Sequence, residues 1–162
     1  MRRLRFPLAV GALLAALLAV GVFVAEPVRV SSISMQPTLS AGDEVLIAKW
    51  GDPGGAARRG QVVVLSNPLG GEPLIKRVAA VGGDTVGIAD GQLVVNGAVQ
   101  DEPYVDAALM DGTYFGPVDV AEGTLFVLGD NRPNSLDSRS FGAVATSTVL
   151  GRVLTRIWPL GG

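Results

Sequence analysis

The chain has 162 residues and a net charge of −2, with neither cysteine nor histidine. That length suits one domain with a core, and the missing residues exclude disulfide and thiol chemistry, the imidazole base and the commonest soft-metal ligands. Catalysis would fall to Ser, Thr, Lys, Asp, Glu or Tyr, and the acidic balance, without a basic run interleaved with aromatics, offers nothing to nucleic acid.

The first element is an uncharged run of 20 residues from Phe6 to Ala25, preceded by Arg2, Arg3 and Arg5. As a helix it rises about 30 Å, enough to cross a bilayer, and the arginines hold its start in the cytoplasm. A removable signal peptide has the same charged start, but its apolar core usually spans about 7–15 residues. The expected division is therefore a cytoplasmic tip and transmembrane anchor over 1–26 and an extracytoplasmic domain over 27–162. The expected location is the plasma membrane, single-pass, with the lipid bilayer as a partner.

Beyond Arg29, short apolar runs alternate with Gly, Pro, Asp and Asn. Val45–Ala48, Val62–Leu65, Leu74–Ala80, Thr85–Ala89, Leu93–Val95 and Leu125–Leu128 are predicted strands, with Val149–Trp158 a late β-branched one. Asp90-Gly91 and Asn96-Gly97 are two-residue hairpin signals, predicting a meander from Thr85 to Gln100. Gly51–Gly60 and Asp101–Pro117 read as loops, the second with Tyr104 and Tyr114 as packing residues. The fold class is mostly β.

Three segments carry chemical potential. Ser34 lies in a serine-rich stretch before Pro37, which is either a plain turn or a nucleophile awaiting a base. With no histidine, that base would be a lysine whose amine burial keeps neutral. Lys49 and Lys76 are the two lysines, and Lys49 ends its strand at a loop, which favours a solvated role. Lys76 shares a strand face with Leu74 and Val78, while Ile75, Arg77 and Ala79 face the other way. It is either a buried amine or the charge that guards an edge strand. Gly129 through Arg139 is a dense polar loop hanging from an apolar strand. There Asp137 and Arg139 form a potential ion pair and Ser135 offers a hydroxyl to an amine. A surface turn, or a metal held by Asp130 and Asp137, are the alternatives.

Taken together, these segments resemble the type I signal peptidases. Ser32-Ile33-Ser34-Met35-Gln36-Pro37-Thr38-Leu39 is similar to the family's nucleophile box. Lys76-Arg77-Val78 through Gly83-Asp84 is similar to the box that supplies the base, and Gly129 through Arg139 to the third box almost throughout. Gly42 through Lys49 fits the strand after the nucleophile. The resemblance implies a signal-peptidase-like β domain behind an N-terminal transmembrane helix, and a serine endopeptidase that removes signal peptides from exported preproteins after Ala-x-Ala-like sites. It implies Ser34 as nucleophile and Lys76 as general base. It further implies an oxyanion hole from the Ser34 N–H and the Ser32 hydroxyl, and Ser135 orienting the amine. Asp130, Asn131, Asp137 and Arg139 would support the loop, and Met35 and Ile75 would line the substrate groove. No cofactor and no metal are implied. Ile33 stands where the family most often has glycine, and Ala80 and Gly82 replace a common Gly and Pro.

Only eight residues separate Ala25 from Ser34, a reach of at most roughly 30 Å, which places the nucleophile near a membrane surface. The competing readings are a specialised peptidase for conjugation or pilin-type proteins, a self-cleaving repressor, and a non-catalytic anchored peptide-binding β domain. The anchor, and the lack of a DNA-binding segment, count against the repressor.

Overall fold

In the computed structural model, which describes residues 25–106 and 112–159, the short apolar runs become strands of two antiparallel sheets. The larger sheet contains β1 (Ala25–Arg29), β2 (Glu44–Ala48), β3 (Val62–Leu65), β4 (Leu74–Val81), β9 (Thr124–Leu128), β10 (Val144–Ala145) and β11 (Val149–Trp158). Their order is β1-β2-β11-β3-β4-β9-β10. The smaller sheet has the order β7-β6-β5-β8, from β5 (Thr85–Ala89), β6 (Gln92–Val95), β7 (Ala98–Val99) and β8 (Phe115–Asp119). The single α-helical turn among the described residues is α1, Ser138–Phe141.

The predicted meander forms because its turns hold the right residues. Asp90, Gly91, Asn96 and Gly97 all take positive φ, as a tight two-residue hairpin demands. β5 and β6 then send Val86, Ile88, Leu93 and Val95 into a core shared with Phe126 and Leu128 of β9. Two further clusters fill the larger sheet. One gathers Val63, Leu65, Val78 and Val127, and the other Met35, Val45, Ile47, Val64 and Ile75. The alternation expected of β4 runs to Val78 and then breaks. A register shift against β9 falls between Val78 and Ala80, so Ala79 and Ala80 both join the core under the small sheet. One strand thereby serves both sheets.

Several expectations are corrected. Ala25, read as the end of the apolar run, is the first residue of β1 and pairs with Ala48. The rest of that run lies outside the described residues, among which no helix is long and apolar enough to cross a membrane. β1 carries Pro27, which an edge strand tolerates, and it owes its form to five consecutive pairings with β2. Phe115–Asp119, read partly as loop, is the edge strand β8, disguised by Gly116 and Pro117. Tyr114 does not pack; it is 71% exposed. Tyr104 does, with the Arg77 guanidinium 3.8 Å above its ring.

Candidate active site

The serine turn follows β1 directly. The Val30 N–H donates to the Asp43 carbonyl and the Gly42 N–H to that of Val30, closing the turn's base against the start of β2. Inside it, Met35 and Leu39 are buried among Val45, Ile47 and Ile75, which fixes the turn from below. From the other side Asn131 clamps the backbone. Its N–H donates to the Ser34 carbonyl at 3.0 Å and its side-chain amide to the Ile33 carbonyl at 3.2 Å. Ser34 therefore sits in a turn held by apolar packing beneath and by the Gly129–Arg139 loop beside it.

Lys76 reaches this turn from the middle of β4. Its Nζ lies 2.7 Å from Ser34 Oγ, and the two residues are 2% and 5% exposed. The edge-strand alternative is thus corrected, since β4 is paired on both sides, by β3 and β9. Burial pushes the Lys76 amine below its ordinary pKa, and the charges of Asp137 and Asp130, which act in the opposite direction, do not restore it. The Ser32 hydroxyl stands 3.1 Å from Ser34 Oγ. Nucleophile-type oxygen, buried amine and second hydroxyl therefore converge on one point.

The supporting loop is a network of paired charges. Asp137 caps α1 through the Arg139 N–H, accepts from the Gly129 N–H at 3.1 Å, and takes Nε and a terminal nitrogen of Arg139 at 2.8 and 2.9 Å. Asp130 accepts from Arg77 at 2.9 and 2.6 Å and from the Thr38 hydroxyl at 2.5 Å. Both carboxylates proposed for a metal are therefore already occupied by arginines. Residue types alone do not single out Arg77, Thr38, Glu102 or Arg132, and they mark Tyr104 for packing only. Arg77 ties the lysine-bearing strand to both other segments at once, holding Asp130 and, through Asp130 and directly, Thr38. Arg132, 2% exposed, donates to the Gly129 carbonyl and to Glu102. The available signal was a buried-strand arginine beside the lysine and an arginine inside the polar loop, each demanding a carboxylate partner.

Two expected residues stand otherwise than anticipated. Ser135 Oγ is buried and has no hydrogen-bond partner among the described residues, so no bond to the Lys76 amine is formed. It lies against Gly129, where an added Cβ would come within 2.5 Å of the Ser34 carbonyl oxygen and closer still to Ser135 Oγ. Glycine is needed there for close approach. A groove of about 600 Å³ opens beside the serine turn, between Val28, Val30 and Ser32 on one side and Leu74 and Ile75 on the other. Ile75 lines it as anticipated. Met35 does not; at 1% exposed it is a core residue beneath the turn.

A mostly-β fold carrying this site, together with its relatives, defines a serine endopeptidase. The chain belongs to the signal peptidase family, peptidase S26, whose family model matches residues 3–158. It is 38% identical over 155 residues to a probable signal peptidase I-2 of Synechocystis, covering 90% of this chain and 70% of that protein. To signal peptidase IB of Staphylococcus aureus it is 36% identical over 156 residues, covering 86% and 81%. The crystal structure of a signal peptidase I from Enterococcus faecalis superposes with a TM-score of 0.54 at 34% identity, covering 61% of this chain and 97% of that one.

Proposed function

We propose that the chain is a membrane-anchored endopeptidase that removes N-terminal signal peptides from exported preproteins, with Ser34 as nucleophile and Lys76 as general base. The observation that carries this reading is the 2.7 Å contact between Lys76 Nζ and Ser34 Oγ in a buried site. A neutral amine there has a lone pair for the serine proton, and burial favours the neutral form. Ser34 Oγ then attacks the scissile carbonyl, its proton passing to Lys76, and the resulting ammonium gives that proton to the leaving amine. Lys76, neutral again, deprotonates the water that releases the acyl group.

Charge on the tetrahedral oxygen would be met by the Ser34 N–H and by the Ser32 hydroxyl turning from Ser34 Oγ. Ser135 would assist by moving its unpartnered hydroxyl onto the amine when substrate closes the site. Asp130, Asn131, Asp137 and Arg139 hold the two loops in register. The peptide would lie extended in the groove beside Ile75, whose apolar walls suit small residues before the cut. The segment before β1 would supply the cytoplasmic tip and the anchor, and the chain from Ala25, where β1 begins, the extracytoplasmic peptidase.

The test is cleavage of a preprotein whose signal ends in Ala-x-Ala, by the full chain in detergent. Wild type should cut after the second alanine, and folded Ser34→Ala should not. An inert wild type would favour a specialised substrate or a peptide-binding role, and continued cleavage by Ser34→Ala would remove the serine from the mechanism.

A further inference from the structure

From Val78 to Asn131 the sequence contains nine aspartates and glutamates and not one lysine or arginine; all 13 basic residues lie outside this stretch. The stretch builds the entire smaller sheet. Some of its carboxylates are neutralised from outside the stretch, Asp84 by Arg59 of the loop before β3, Glu102 by Arg132 of the polar loop and Asp130 by Arg77 of β4. Among the described residues Asp90 and Asp119 have no such ion pair. Asp90 accepts from the Gly112 N–H and Asp119 from the Thr85 hydroxyl, and both are exposed.

Between these two carboxylates runs an apolar groove. The inward residues of β5 and β6 fill the core, so Thr85, Gly87, Ala89, Gln92 and Val94 face outward, and the stretch from Gly87 to Ala89 with Val94 is apolar where an ordinary solvated sheet would be polar. With Tyr114, Gly116 and Pro117 they line a groove of about 470 Å³. Gly87 and Gly116 keep its floor low, since a Cβ on either would meet the opposite strand's backbone within 3.0 Å. Tyr114 stands at its rim, 71% exposed. Asp119 sits beside Thr85 at one end of β5 and Asp90 follows Ala89 at the other, a separation of about 13–16 Å by strand rise.

An apolar trough with a carboxylate at each end, neither ion-paired among the described residues, complements one kind of ligand. We infer that the outer face of the smaller sheet docks a cationic polypeptide segment in extended form, whose basic side chains, four residues apart, reach Asp90 and Asp119 while the apolar side chain midway between them, on the same face, lies against Gly87, Val94 and Tyr114. The surface is separate from the Ser34 groove and shares no lining residue with it. The two sites can therefore be occupied together.

The experiment is a fluorescence-anisotropy titration of the full chain in neutral detergent with a labelled peptide of sequence Lys-Leu-Val-Leu-Lys, and with the charge-reversed Glu-Leu-Val-Leu-Glu as control. The cationic peptide should bind saturably, the acidic one should not, and affinity should fall about tenfold between roughly 50 and 500 mM salt. Asp90→Asn with Asp119→Asn keeps both acceptor oxygens for Gly112 and Thr85 while removing the charges, and should weaken binding about tenfold. Tyr114→Ala should weaken it several-fold, and both variants should cleave preprotein at the wild-type rate. Equal affinity for the two peptides, unchanged affinity in the variants, or no saturable binding would each overturn the assignment. So would a Tyr114-dependent self-association in sedimentation, or binding of uncharged lipid vesicles at this face, since either names a different occupant.

Discussion

A buried lysine is expensive unless something uses it, and Lys76 illustrates how the expense is managed. Removing its amine from water disfavours the ammonium, and the nearby carboxylates of Asp130 and Asp137 are committed to Arg77 and Arg139. Activity that needs the neutral amine should therefore rise with pH through a midpoint below the 10.5 of an ordinary lysine, as a pH series of kcat/KM would read directly. Lys76→Met should lower kcat/KM by about 10³-fold or more. The same variant should melt no lower than wild type, and up to ~2 kcal/mol more stably, because a buried charge is replaced by an apolar side chain of similar length. The sign follows from the direction of the shift. A lysine depressed in the fold costs stability below its folded pKa, and the cost fades as pH climbs toward its unfolded value. An equal loss of stability in Lys76→Met would show that the amine is structural.

At the scale of elements, the strands were legible where turn chemistry bounded them. Asp90-Gly91 and Asn96-Gly97 announced β5, β6 and β7 because few other residues accept positive φ in succession. β1 and β8 were hidden because each is an edge strand with a proline inside, and its strand character comes from the neighbour it pairs with. Of the site, the serine, the lysine and the polar loop could be picked out by residue type, whereas the Arg77–Tyr104–Glu102–Arg132 chain needed three-dimensional proximity to become visible. Ser135 had its segment anticipated but not its state, since a hydroxyl's partner is a matter of tenths of an ångström. The polar loop depends most on Asp137, 0% exposed, which serves Gly129, Arg139 and the α1 cap together. Asp137→Ala should destabilise the protein by about 3 kcal/mol in chemical unfolding, with activity lost in parallel, because it leaves a largely buried guanidinium without its partner. A loss under about 0.5 kcal/mol would mean the loop is held by Asn131 and Arg132 alone.

Across the whole molecule, the two sheets are joined at Asp84. It accepts from Arg59 and from the Val81 N–H on the larger sheet's side, and from Asn96 in the smaller sheet's hairpin. Burial raises its pKa, yet these bonds outweigh that and hold it below the usual carboxylate value. A depressed carboxylate contributes stability above its unfolded pKa of 3.8 and loses it as pH falls through the folded one. Thermal melts of Asp84→Asn should therefore lie below wild type at neutral pH and converge with it under strongly acid conditions. β1 imposes a different kind of rule on the whole chain. Each of its residues is matched to one in β2, and the chain then passes to the serine turn within five residues. The distance from the preceding segment to Ser34 is consequently quantised. Adding or removing two residues in β1 shifts it by about 6.6 Å and preserves which side chains face inward, whereas one residue inverts them all. Length variation at this point should be tolerated by parity, in even steps and not in odd ones.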